Sequence, residues 1–164
     1  MERQRRDTHA RNRQARLDRA ARVTQGRIVA ADAILGLLEA VIEPGDRVCL
    51  EGDNQKQADF LARSLAMVDV ARVHDLHMVQ SVLALPEHLD LFERGIARRV
   101  DFSFSGPQGS RLARLVREGR IEIGAIHTYL ELFGRYFVDL TPLVSLIVAN
   151  SADADCFLYD GANT

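Results

Sequence analysis

The chain has 164 residues, 47% of them hydrophobic, and a net charge of −2, enough apolar material for one domain with its own core. Its longest apolar runs, such as Val144–Ala149, fall far short of the roughly 20 residues needed to span a bilayer, and no apolar stretch follows the Arg-rich start as in a signal peptide, so a cytoplasmic protein without membrane association is expected. Two cysteines, Cys49 and Cys156, write neither a disulfide framework nor a zinc spacing, and reduced thiols are the simpler expectation.

Charge is distributed unevenly along the chain. Residues 1–27 carry nine arginines against three acids, a local +6, which leaves −8 on the other 137 residues. This arm has almost no large apolar residues and reads as a flexible or helical extension that frays. It lacks interleaved aromatics and any zinc or helix-turn-helix pattern, so a solvated extension ranks first among its uses, partner docking second and nucleic acid last. Residues 28–164 form the second unit. Apolar periodicity starts at Ile28 and continues through Ile34, Leu37, Leu38, Val41 and Ile42, predicting a helix over 33–43 capped by Asp32 and stopped by Pro44-Gly45-Asp46. Strands are then predicted at Arg47–Leu50, Val73–Val79, Val100–Phe104, Ile121–Ile126 and Val144–Val148, alternating with helices at Gln55–Ala66, Glu87–Ile96 and Ser110–Glu118. Strands separated by helices require crossover connections. The expected fold class is therefore α/β, an open, mainly parallel sheet with helices on both faces.

Such sheets bind ligands beyond the carboxyl ends of their strands, which directs attention to two turns. Glu51-Gly-Asp-Asn-Gln-Lys-Gln57 follows the first strand and opens a helix; free N–H groups and a partial positive charge at that helix start suit a carboxylate or phosphate. Asn54, Gln55, Lys56 and Gln57 are the candidate substrate-binding residues there, Lys56 being the only lysine in the chain. Either Asp53 or Asn54 could equally serve as a plain helix cap. Glu51, at a strand end, is the best-placed carboxylate for general-base or nucleophilic work. The second turn, Ser105-Gly-Pro-Gln-Gly-Ser110, has two glycines that let backbone approach a substrate, and amides that could form an anion-binding concavity, so Gly106, Gln108 and Gly109 are candidates for an oxyanion turn. It has neither the Gly-Lys-Ser/Thr of a phosphate-binding loop nor a three-glycine dinucleotide pattern. His127 follows the fourth strand and is a candidate to line the same cleft. No His-Glu-x-x-His pair or Gly-x-Ser-x-Gly elbow is present, so no metal is expected and most histidines read as structural.

Four longer runs carry a resemblance. They are Arg47-Val-Cys-Leu-Glu-Gly-Asp-Asn-Gln-Lys-Gln-Ala-Asp-Phe-Leu-Ala-Arg63, Val73-His-Asp-Leu-His-Met-Val-Gln-Ser-Val-Leu83, Asp101-Phe-Ser-Phe-Ser-Gly-Pro-Gln-Gly109 and Ile121-Glu-Ile-Gly-Ala-Ile-His-Thr-Tyr-Leu-Glu-Leu-Phe-Gly-Arg-Tyr136. Together they resemble the malonate decarboxylase α subunit family, over about residues 28–164. The resemblance implies a coenzyme A transferase-like N-terminal half, similar also to the citrate lyase α subunit, that exchanges acetyl for malonyl on an acyl carrier protein thioester. The implied partners are the acyl carrier protein, the decarboxylase subunits, malonate and acetate. No cofactor is implied on the chain itself; a phosphoribosyl-dephospho-CoA prosthetic group rides on the carrier. In related transferases a covalent glutamate lies in the second half of the molecule, so that role is not carried to Glu51. The family has two α/β halves, and its late segment usually has Gly and Asn where Cys156 and Phe157 stand. The expectation is thus a truncated chain, with a non-catalytic module that binds carrier or decarboxylase subunits as the second reading, and exposed apolar surface that allows self-association.

Overall fold

The computed structural model describes residues 2–50, 58–149, 151–155 and 157–159. Strands β1 (Arg47–Leu50), β2 (Leu76–Val82), β3 (Ala97–Phe104), β4 (Glu122–Ile126) and β5 (Val144–Leu146) form one sheet in the order β4-β3-β2-β1-β5, and every neighbouring pair is parallel. The helices are α1 (Glu2–Ala20), α2 (Ile34–Val41), α3 (Asp59–Ala66), α4 (Pro86–Glu93), α5 (Gly109–Arg117) and α6 (Tyr129–Val138). One sheet face is covered by α2 to α5, packed in sequence against one another. Val48, Leu50, Met78, Val100 and Phe102 of the strands meet Leu38, Leu65, Leu89 and Leu115 of those helices in the main core. The other face carries α6, where Val79 packs on Leu132, Leu140 and Tyr136. This is the expected parallel α/β sheet with helices on both faces.

Several boundaries moved, each for a local reason. The second strand begins at Leu76 rather than Val73, because the carbonyl of Asp69 accepts from the amides of Arg72 and Val73 while its carboxylate accepts from that of Ala71. Asp75 then sits at φ 55°, a left-handed turn that resets the chain before the strand starts. Helix α4 stops at Glu93 because Gly95 adopts φ 77° and Ile96 N–H reaches back to the Leu91 carbonyl at 2.9 Å, a glycine-based helix end. Strand β3 starts at Ala97, its first half disguised in the sequence by the exposed pair Arg98 and Arg99. Between α4 and α5, Arg111 bridges Asp90 and Glu93, and its hydrogen bonds together with those of Arg114 hold the Glu93 carboxyl down to about 2 against the cost of burial.

Two elements were not anticipated. Helix α6 fills the β4–β5 crossover, started by Thr128, whose Oγ1 accepts from the Glu131 amide at 3.1 Å; the Thr-x-x-Glu spacing is an N-capping signature. Downstream of β5, Ser151–Ala152 and Leu158–Tyr159 pair as an antiparallel hairpin. Asp153 ties its turn by accepting from the amides of Asp155 and Phe157 and from the Tyr159 hydroxyl. Cys156 lies outside the described residues. The basic arm is the helix α1, and it is latched to the domain as well as solvated. Arg16 binds Asp46, Glu43 and the Val41 carbonyl, and Arg19 binds Glu43 and the Ala40 carbonyl.

Candidate functional site

Because all five strands are parallel, β1, β3 and β4 deliver their following turns to one carboxyl edge. Strand β2 separates β1 from β3, so Cys49 and Asp101, both in register with Val79, lie about 10 Å apart, two strand spacings. Glu51, Asn54, Gln55, Lys56 and Gln57 fall in the segment 51–57 that follows Leu50, and this segment lies outside the described residues.

The second turn is fully described. Gly106–Gln108 form a single 3-10 turn that leads into α5. Gln108 N–H donates to the Ser105 carbonyl at 3.1 Å, and Gly109 N–H donates to the Gly106 carbonyl. Two of the three candidate amides are therefore engaged within the turn. Gly106 N–H, by contrast, makes no hydrogen bond among the described residues. Gly106 also has φ 50°, a left-handed conformation costing a side-chain-bearing residue about 1–2 kcal/mol. Gly109 has an ordinary helical φ of −54°; a Cβ there would meet Ser105 Oγ at 3.3 Å. The Gln108 side chain reaches the Ala84 carbonyl at 3.4 Å, tying this turn to the end of β2. Beside it runs a cleft of about 480 Å³ between α5 and the β3–β4 edge, lined by Phe104, Ser105, Gly109, Leu112, Val116 and Ile126 among others.

His127 is used differently from a cleft-lining residue. Its side chain is fully buried beneath α6, and Nε2 bonds Asp101 Oδ1 at 2.8 Å. His77 Nε2 bonds the other carboxylate oxygen at 2.6 Å, so one aspartate in the middle of β3 holds two imidazoles from β2 and the end of β4. Arg47 Nε–H points at His77 Nδ1 at 3.5 Å, which leaves the proton on His77 Nε2, facing Asp101. Burial pushes the Asp101 carboxyl up, but the hydrogen bonds and charges of His127 and His77 outweigh it and hold the group below the ordinary carboxylate range. Burial, only partly opposed by Asp101, keeps His77 below the usual imidazole range. The cluster also depends on an absence of side chain. Where β3 and β4 slip register between Val100 and Asp101, Gly124 stands beside the carboxylate, and a Cβ on it would come within 2.1 Å of Asp101 Oδ2.

Sequence reading singled out His127 but missed its partner Asp101 and the His77 that shares that carboxylate. The available signal was an acid inside an apolar strand, Val100-Asp101-Phe102, since a buried carboxylate needs hydrogen-bonded company. A further buried amide, Gln80 in β2, has neither of its side-chain polar atoms hydrogen-bonded among the described residues. Among the described residues no group of three or more His, Cys, Asp or Glu could hold a metal ion, and no helix is long and apolar enough to cross a membrane.

Comparison with known proteins gives these positions a context. The family model for the malonate decarboxylase α subunit, also described as a transporter, matches residues 5–164, most of the Arg-rich arm included. The chain is 56% identical over 138 residues to an acetyl-S-ACP:malonate ACP transferase of Malonomonas rubra, which covers 84% of this chain and 25% of that protein. It superimposes with a TM-score of 0.90 and 52% identity on a Pseudomonas malonate decarboxylase hetero-tetramer in complex with malonate, over 93% of this chain and 28% of the matched one. A malonate decarboxylase α subunit from Acinetobacter baumannii matches with a TM-score of 0.91 at 49% identity, over 94% of this chain and 28% of that one. The chain thus spans about a quarter of the length of the curated relative it matches. With a family match from residue 5 to residue 164 and relatives at this level of identity, the chain belongs to the malonate decarboxylase α subunit family.

Proposed function

We propose that this chain is the N-terminal part of a cytoplasmic acyl-carrier-protein transferase, which replaces acetate by malonate on the carrier thioester. The observation that carries the reading is the 56% identity to a protein named for that exchange. The reaction balances without redox chemistry: acetyl thioester and malonate give malonyl thioester and acetate. A malonate carboxylate oxygen attacks the acetyl carbonyl and the carrier thiolate leaves; the thiolate then attacks the malonyl carbonyl and acetate departs with the attacking oxygen. The carrier bears that thiol on its phosphoribosyl-dephospho-CoA group, which reaches the site as part of the substrate. Malonyl carrier is then consumed by the decarboxylase subunits.

In this reading the turn 105–110 faces the reacting carbonyl. The Gly106 amide, unpaired among the described residues, is the donor for the developing oxyanion, and its left-handed φ aims it. Gln108 and Gly109 hold the turn's shape, and Gly109 keeps its face clear. Residues 51–57 continue the sequence from the end of β1, and the proposal gives Asn54, Gln55, Lys56 and Gln57 the role of holding malonate's distal carboxylate. Glu51 is the acid closest in sequence to the end of β1. His127 acts through Asp101, fixing the end of β4 and the first turn of α6 rather than touching substrate.

The test is an exchange assay on the α subunit extended through the rest of the family length, with acetylated carrier and malonate. Malonyl carrier and acetate should form in equal amounts. A subunit that folds and binds carrier yet forms no malonyl carrier would sink the reading. The same assay on residues 1–164 alone is expected to show little turnover, in line with the second reading of this region as a binding module.

A further inference from the structure

Helix α6 is half a core helix. Leu132 is buried and Tyr136 packs beside it against Val79. The opposite side carries Leu130, Phe133 and Phe137 at 82%, 63% and 75% exposure, with the two phenylalanine rings edge to face at 5.3 Å. At helical spacing these three form one stripe. An exposed apolar stripe of that size marks a contact surface.

A second feature of the same helix points to what fits there. Gly134 stands in the middle of α6, and a Cβ on it would meet nothing within 4 Å. Nothing among the described residues requires glycine at this position, although glycine weakens a helix interior relative to alanine. Glycine between exposed aromatics gains a purpose when another backbone crosses close to it, because helices approach more closely where side chains are absent. We propose that the Leu130–Phe133–Phe137 stripe is a helix-docking face, with Gly134 at its crossing point. Its occupant is a helix from the remaining length of the α subunit, since the solved relatives have more than twice as much chain again beyond the part this fold matches. The proposal rests on family membership and not on the exchange activity.

Gly134→Gln tests it, because the sign of the effect depends on whether the face is covered. In the 164-residue chain glutamine improves helix propensity at an open position, and Tm should rise by roughly 2–3 °C. In the full-length subunit the same side chain meets the docked helix. There Tm should fall and limited proteolysis should cut the later part of the subunit faster, whatever happens to activity. A rise in Tm in both proteins would overturn the proposal. So would a 164-residue chain that forms a dimer broken by Gly134→Gln while the full-length subunit is unaffected, which would assign the stripe to a second copy.

Discussion

Replacing Gly124 with alanine introduces a single methyl group at the most crowded point of the polar cluster beneath α6. The new Cβ would lie 2.1 Å from Asp101 Oδ2, 2.8 Å from its Cγ and 2.9 Å from Arg99 Nε. Arg99 is half exposed and can swing away. Asp101 cannot, because its carboxylate is 3% exposed and fixed by His77 and His127. Either the carboxylate abandons its imidazoles or β4 shifts away from β3. Losing charge-assisted hydrogen bonds costs about 1.5–3 kcal/mol each and overpacking about 1–3 kcal/mol, so a total near 3 kcal/mol is expected, or a Tm lower by roughly 6–12 °C in a chain of this size. Thermal and urea unfolding of the parent, Gly124→Ala, Asp101→Ala and the double variant measure it. If the carboxylate is what the methyl meets, Gly124→Ala should cost much less in the Asp101→Ala background, giving a coupling energy of about 2 kcal/mol. Additive effects, or a Gly124→Ala protein as stable as the parent, would refute the reasoning.

Three other outcomes follow from the same geometry. His77 and His88 both have folded pKa values lowered first by burial; the unfolded chain therefore binds more protons, and stability should fall as pH drops below about 6.5. A second loss should follow below about 3.9 as Asp101 is forced to protonate, so a urea midpoint unchanged between pH 7.5 and 5 would contradict the assignment. Arg16→Ala should destabilise by about 3 kcal/mol, because it strips Asp46 of its guanidinium partner in a site where the side chains are 13% and 6% exposed, whereas the exposed Arg13→Ala should stay within about 0.5 kcal/mol in the same denaturation series. Gly106→Ala should slow exchange in the full-length subunit by about 10²-fold through a misaimed amide, while Gly109→Ala, at φ −54°, should cost less than tenfold with unchanged stability; equal rates for the two would leave Gly106 without its role.

The parallel sheet was legible because its signals are local and redundant. Apolar runs such as Arg47–Leu50 and Val100–Phe104 are bounded by Pro44-Gly45 and by Gly106-Pro107, and helices between them leave only crossover connections. Helix α6 escaped notice because its exposed side is as apolar as its buried side: Leu130, Phe133 and Phe137 beside Leu132 and Tyr136 blur the period that marks an amphipathic helix. Only the Thr128–Glu131 cap announced it. The hairpin after β5 depends on Asp153 bonding across its own turn, a contact that spacing alone does not reveal. At the site, the turn 105–110 could be placed from the end of its strand. The Asp101 cluster could not, since it joins residues 24 and 26 positions apart, and Gly124, which makes room for it, lies inside the expected strand Ile121–Ile126 with nothing in the spacing to mark it.

The central claim is direct transfer of the carrier from acetyl to malonyl, and the fate of one oxygen tests it. Malonate labelled with ¹⁸O in its carboxylates would be given to the full-length α subunit with acetyl carrier in unlabelled water, and the acetate collected over many turnovers for mass spectrometry. Transfer predicts one ¹⁸O in each acetate, because the carboxylate oxygen that attacks the acetyl group leaves with it. Unlabelled acetate, its new oxygen drawn from water, would show hydrolysis of the thioester and contradict the account.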